Sequence, residues 1–145
     1  TGVSRQGQVV CVRSFQTAVG CVDTARGQVL WTRPAQGHQG LDGDETRVFG
    51  VESDSKLRAW NRQDGQPAWS EDQYRFRGLT APRVWGVALA LGDAQGQVHL
   101  LSREQGKTLQ RVATDGTPVA MPPVVAGRTL VTVNRSGLVN GWRVD

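Results

Sequence analysis

The chain lacks most of what catalysis or nucleotide binding requires. It has two cysteines, Cys11 and Cys21, and no Cys-x-x-Cys. Neither a thioredoxin-like site nor a zinc ribbon is therefore supported. The two histidines, His38 and His99, stand alone. No Gly-x-x-x-x-Gly-Lys-Ser/Thr, no Gly-x-Gly-x-x-Gly after a strand and no Gly-x-Ser-x-Gly occurs. Nothing pairs a nucleophile with a base. The one continuous apolar stretch, Val84 to Leu91, is broken by Gly86 and is too short to span a bilayer. No window repeats apolar residues at three and four spacing over ten residues, and 18 Gly with 6 Pro argue against long helices.

What the chain does have is a motif that returns about every forty residues, the period of propeller blades. Asp23 to Trp31 comes back as Asn61 to Trp69, and again, weakened, as Ser102 to Gln110. Gly27, Gly65 and Gly106 hold the same place in each copy. Every unit runs in the same order. A short apolar run ends in Gly (Pro82 to Gly86, Pro123 to Gly127). A strand follows (Val9 to Arg13, Arg47 to Val51, Val87 to Leu91, Thr129 to Val133). After a turn comes a third strand (Val19 to Val22, Leu57 to Trp60, Val98 to Leu101, Val139 to Trp142). Short Val- and Leu-rich runs bounded by Gly, Asp and Ser read as antiparallel strands. The expected fold is all-β: a β-propeller fragment of three four-stranded blades plus a partial fourth lacking its outer strand. The approximate blades are 1–36, 37–73, 78–115 and 119–145, with Thr1 to Gly7 as the first strand.

The Gly-x-x-x-Trp ending has a physical reason. Gly makes the tight turn into the outer strand, and the Trp leans across the neighbouring blade. Trp31 and Trp69 are thus expected as deeply buried blade-docking residues, with Gly27, Gly65 and Gly106 at the turns. Gln110 cannot play that part, so the third joint should be weaker or packed differently.

Other residues give weaker signals. Net charge is +4, and the arginines (Arg13, Arg33, Arg47, Arg62, Arg83, Arg128) are dispersed. A nucleic-acid surface would cluster them or interleave them with exposed aromatics, so no nucleic acid is expected. The densest spot, Tyr74-Arg75-Phe76-Arg77, reads as a loop whose aromatics tuck under a blade while the Arg face water, with a partner contact as the alternative. Cys11 and Cys21 sit opposite each other if the hairpin turns around Gln16. Two buried thiols and a cross-strand disulfide both remain open. His99 should face a blade surface, without a metal role. Asp42, Asp44 and Glu45 lack the spacing of a calcium loop and read as a solvated turn. Asn134-Arg135-Ser136 matches a glycosylation sequon inside a hairpin turn.

The units resemble the pyrroloquinoline-quinone-type propeller repeat, seen in Leu57-Arg58-Ala59-Trp60-Asn61 through Gly65 to Trp69 and in Val19 to Asp23 through Gly27 to Trp31. Within that superfamily three segments are similar to the C-terminal half of the BamB lipoproteins of the outer-membrane β-barrel assembly machinery. They are Leu79 to Pro82, Leu91 to Leu101 and Ser136 to Arg143. The resemblance implies a non-enzymatic scaffold without cofactor or metal, part of an eight-bladed ring. It also implies a lipid anchor, absent from this chain, on the periplasmic side of the outer membrane, and binding to the periplasmic domains of the barrel-inserting subunit BamA. The main contact loops are expected upstream of Thr1, and the chain alone is expected to self-associate through its open edges. The alternatives are a quinone-dependent dehydrogenase, which would need vicinal cysteines and calcium ligands, and a generic ligand-binding or sensor propeller.

Overall fold

The computed structural model describes residues 3–144, so Thr1, Gly2 and Asp145 lie outside it. Among the described residues there is no helix; fifteen strands form four antiparallel sheets arranged as propeller blades. The first sheet is β1 (Ser4–Gln6), β2 (Val9–Ser14), β3 (Ala18–Asp23) and β4 (Gln28–Pro34). The second is β5 (Asp42–Gly43), β6 (Arg47–Val51), β7 (Leu57–Asn61) and β8 (Pro67–Glu71). The third is β9 (Arg83–Trp85), β10 (Ala88–Gly92), β11 (Gln97–Ser102) and β12 (Thr108–Ala113). The fourth has three strands, β13 (Val124–Ala126), β14 (Thr129–Val133) and β15 (Val139–Trp142). Within each sheet every strand pairs with the next in sequence, the meander that short turns impose.

Side chains alternate across each strand, so every sheet has two faces. One face of a sheet packs on the next sheet, and the core is three clusters, one per joint. The first joins Cys11, Val19, Cys21 and Trp31 to Leu41, Val48 and Trp60. The second joins Phe49, Val51, Leu57 and Ala59 to Tyr74, Leu79, Leu89, Leu91 and Leu101. The third joins Trp85, Ala90 and Val98 to Val119 and Leu130. Burying such side chains is worth roughly 1.5–3 kcal/mol each, so the joints carry the fold.

Cys11 faces Cys21 across β2 and β3 and the two are bridged, with Cα atoms 4.0 Å apart. The close approach of the strands at this pair settles the alternative left open by the sequence.

Candidate functional site

The up-and-down meander sends alternate turns to two opposite rims. The first rim collects the β2–β3, β6–β7, β10–β11 and β14–β15 turns and the three long connections between sheets. These segments interlock through main-chain bonds. Ser53 N donates to Gln36 O (3.0 Å), Phe76 N to Asp54 O (2.7 Å), Ala94 N to Arg77 O (3.0 Å) and Arg135 N to Pro118 O (2.8 Å). The second rim collects the remaining hairpin turns, including those with Gly27, Gly65 and Gly106.

The second rim holds the blades together. The Trp31 indole donates to Arg62 O at 2.6 Å and lies over Gly65, where a Cβ would come within 2.5 Å of Trp31 Cδ2. Gly65 also has a φ of +71°, a left-handed turn that excludes most side chains. Trp69 repeats the arrangement on the third sheet. Its indole donates to Arg103 O at 3.1 Å, and a Cβ on Gly106 would meet its Cε3 at 2.6 Å. Trp31 is buried, whereas Trp69 is half-buried. That is shallower than the sequence suggested for Trp69.

The third joint is built differently. Gln110 occupies the docking place on β12 and lines an open, mostly apolar cavity of about 550 Å³ with Trp85, Leu100, Leu109, Val125 and Val144. The indole that crosses here comes from the inner strand: Trp85 Nε1 donates to Arg128 O at 3.1 Å.

Four of the dispersed arginines also cross joints, a role that no local spacing foreshadows. Arg33 donates to Gly65 O (2.9 Å) and Asp64 O (3.0 Å), and Arg83 to Pro123 O (3.1 Å). Arg47 donates to Arg103 O and Glu104 O. Arg62 is buried. It donates to Asp44 O at 2.8 Å within its own sheet and reaches Ser4 Oγ and Cys11 Sγ in the first. Guanidinium forks suit carbonyl pairs of this kind. The acidic turn is structural as well. Asp42 Oδ2 accepts from Val84 N at 2.8 Å, and Asp44 Oδ2 pairs with Arg103 at 3.5 Å. Both therefore tie the second sheet to the third rather than lying in a solvated turn. Among the described residues no three of His, Cys, Asp and Glu converge as metal ligands do.

His99 corrects the reading of a surface position: it is fully buried, with Nε2 2.8 Å from Asp93 Oδ2 and its ring 4.7 Å from that of Tyr74. Burial pushes its pKa down, against the pull of Asp93. The neutral ring therefore donates from Nε2. Burial alone would raise the Asp93 carboxyl, but His99 and the N–H groups of Gln97 and Gln95 outweigh it and hold the pKa low. The pair fixes the β10–β11 turn. Asn134 of the sequon is buried, its Nδ2 donating to Thr114 Oγ1 and Thr117 O at 2.7 Å each, so the amide is not presented for modification.

The first rim is where apolar side chains meet water. Phe76 is 81% exposed and Phe15 69% exposed, with Met121 and Leu138 also exposed along the same rim. The Tyr74–Arg77 loop therefore splits. Tyr74 tucks in as the sequence implied, its hydroxyl bonded to Thr108 Oγ1. Phe76 does the opposite. It is held outward by a left-handed backbone (φ 62°) and by Arg75, which pairs with Asp54 at 3.0 Å and stacks 5.2 Å from the phenyl centroid. A non-glycine residue in that region is uncommon. A rigid arc that holds aromatic and arginine side chains into water has the make-up of a protein-binding surface.

Known proteins resemble this chain in sequence and in fold. The family model described as "Outer membrane protein assembly factor BamB" matches residues 1–71. The outer membrane protein assembly factor BamB of Burkholderia pseudomallei is 37% identical over 137 residues, covering 94% of this chain and 36% of that protein. The chain thus spans about a third of the length of that curated relative. The crystal structure of BamB from Moraxella catarrhalis superposes with a TM-score of 0.91 at 25% identity, over 98% of this chain and 42% of that one. A computationally designed protein, Ika4, shares the fold at a TM-score of 0.82 and 19% identity, over 100% of this chain and 91% of its own.

Proposed function

We propose that this chain, which belongs to the BamB family of outer membrane protein assembly factors, acts as a non-enzymatic scaffold in outer-membrane β-barrel assembly. It works on the periplasmic side of the outer membrane, lipid-anchored in the intact protein, and binds the periplasmic domains of the barrel-inserting subunit BamA. The observation that carries this reading within the chain is the first rim. Phe15 and Phe76 stand exposed on this rim, and Phe76 is turned outward by a left-handed backbone. Large aromatics with adjacent Arg are the side chains that dominate protein interfaces. The chain spans about a third of its curated relative, so its rim supplies one part of the contact and binds weakly by itself.

The dehydrogenase alternative calls for vicinal bridged cysteines. Here the bridge joins residues ten apart on facing strands, and no turnover of a quinone-linked substrate is expected.

Biolayer interferometry against the isolated periplasmic domains of BamA tests the proposal. The chain should bind weakly and a BamB of the relatives' length tightly. Phe76→Ser should weaken the chain's binding about tenfold, or 1.4 kcal/mol, without lowering its melting temperature. Equal binding by the Phe76→Ser variant would move the contact off this rim. No binding by either wild-type protein would defeat the scaffold reading.

A further inference from the structure

The second joint lies between two four-stranded sheets, and one buried carboxylate pins the Phe76 loop (72–78) into it. Asp93 is fully buried in the β10–β11 turn. Its Oδ1 accepts from Gln95 N at 2.8 Å and from Gln97 N at 2.9 Å. Its Oδ2 is shared: His99 Nε2 lies 2.8 Å away and Arg77 Nη1 3.4 Å. Arg77 belongs to the loop, and its carbonyl accepts from Ala94 N at 3.0 Å. Tyr74 of the same loop packs its ring 4.7 Å from that of His99. On the other side the loop holds to the second sheet, where Phe76 N donates to Asp54 O and Arg75 pairs with Asp54. Phe76 thus stands between two anchors, one at Asp54 and one at Asp93.

The Asp93 anchor has a member that titrates. Around His99 stand Asp93 from the turn, Tyr74 and Arg77 from the loop, Leu91 from β10 and Arg111 from β12. With His99 neutral, Arg77 balances the single charge of Asp93, and His99 adds a neutral hydrogen bond. A proton on His99 upsets that balance. The imidazolium neutralises Asp93 by itself, Arg77 is left beside a like charge, and Arg111 adds a second. The new N–H is also stranded, since Nδ1 is buried and has no partner among the described residues. A buried donor without an acceptor is strongly unfavourable, so this one must reach water. β10 and β12 are paired with β11 along most of their length. The loop is held by the few bonds just named, so the loop yields first.

We propose that Asp93, His99 and Arg77 are positioning residues for the Phe76 contact, and that charging His99 frees Arg77 and Tyr74 so that Phe76 loses its outward set. The first rim then presents its aromatic at neutral pH and withdraws it in acid. The use of this device at a partner rests on the reading of the rim as a binding surface. The loop movement itself needs no partner.

The test is fluorine NMR on the chain labelled with para-fluorophenylalanine. The chain has three phenylalanines, so Phe15, Phe49 and Phe76 give three resonances, with Phe76 assigned from Phe76→Ser. Phe49 is 1% exposed and reports whether the second joint stays packed. As pH falls from about 8 to about 5, the Phe76 resonance should shift with a midpoint below the ordinary histidine value of about 6.5, since burial lowers His99. Phe49 should stay away from its position in urea throughout. His99→Gln should abolish the Phe76 step, and Arg77→Met should place Phe76 near its acid position already at about pH 8. A Phe76 resonance that does not titrate, or that titrates equally in His99→Gln, overturns the proposal. So does an Arg77→Met variant that titrates like wild type. Phe49 reaching its urea position in the same step would mean that the whole joint unfolds, and also overturns it. A failure to bind the periplasmic domains of BamA would defeat the scaffold reading and leave these resonances as predicted.

Discussion

The first two joints and the third solve the same packing problem with different side chains. Trp31 and Trp69 reach from outer strands, lie over Gly65 and Gly106, and donate to the main chain of the next blade. At the third joint Gln110 leaves that place to an open cavity, and Trp85 crosses from the inner strand instead. An outer-strand indole locks the wide end of a blade wedge. An inner-strand indole locks only the narrow end. Blade docking thus depends on where along the wedge the large side chain sits, and the fourth sheet should be the least tightly held of the four.

The largest effect should come from removing the lock itself. Trp31→Ala should destabilise the chain by about 3–5 kcal/mol in urea unfolding; a loss under about 1 kcal/mol would show that the indole does not hold the joint. Next comes a matched pair of glycines. Gly27→Ala and Gly65→Ala both strain a left-handed turn, at about 1–2 kcal/mol. Gly65→Ala alone also drives a methyl into Trp31, adding about 1–3 kcal/mol of overpacking. Equal costs for the two variants would remove the docking role of Gly65.

The second joint should also be sensitive to acid. His99 has a lowered folded-state pKa through burial, so the unfolded chain binds its proton first. Stability should therefore be full above about pH 6.5 and fall as pH drops through the folded pKa. Asp93, also lowered, adds a further loss at more acidic pH. His99→Gln should flatten the fall just below pH 6.5, read by thermal melts across pH, and an unchanged profile would assign the acid sensitivity elsewhere. The smallest effect, and the sharpest on the contrast between joints, is Gln110→Trp. Filling the cavity should stabilise by about 1 kcal/mol, whereas destabilisation would mean that the cavity is not shaped for an outer-strand indole.

The repeat made the sheets readable because Gly-x-x-x-Trp and the strand-turn order recur in fixed register. Trp31, Trp69 and the turn glycines could be named for the same reason, but not that each indole lies over the turn glycine of the next blade. What lay beyond one repeat was hidden. The joint-crossing roles of Arg33, Arg47, Arg62 and Arg83 depend on which carbonyls the next blade turns toward them, and no local spacing encodes that. Asp93 and His99 are six residues apart with an ordinary hairpin between them, and only burial makes the pair consequential. Phe76 follows Tyr74 by two residues, which in a regular strand would put both on one face. A left-handed backbone at Phe76 sends it to solvent instead. Aromatic residues in an irregular loop carry no periodicity from which to read such a turn.

Native-state hydrogen exchange, read strand by strand, tests the contrast between joints most directly. Amides of β13, β14 and β15 should exchange through an opening of lower free energy than those of β6, β7 and β10, with the first three sheets protected as one unit. Equal protection of the fourth sheet and the second would contradict it.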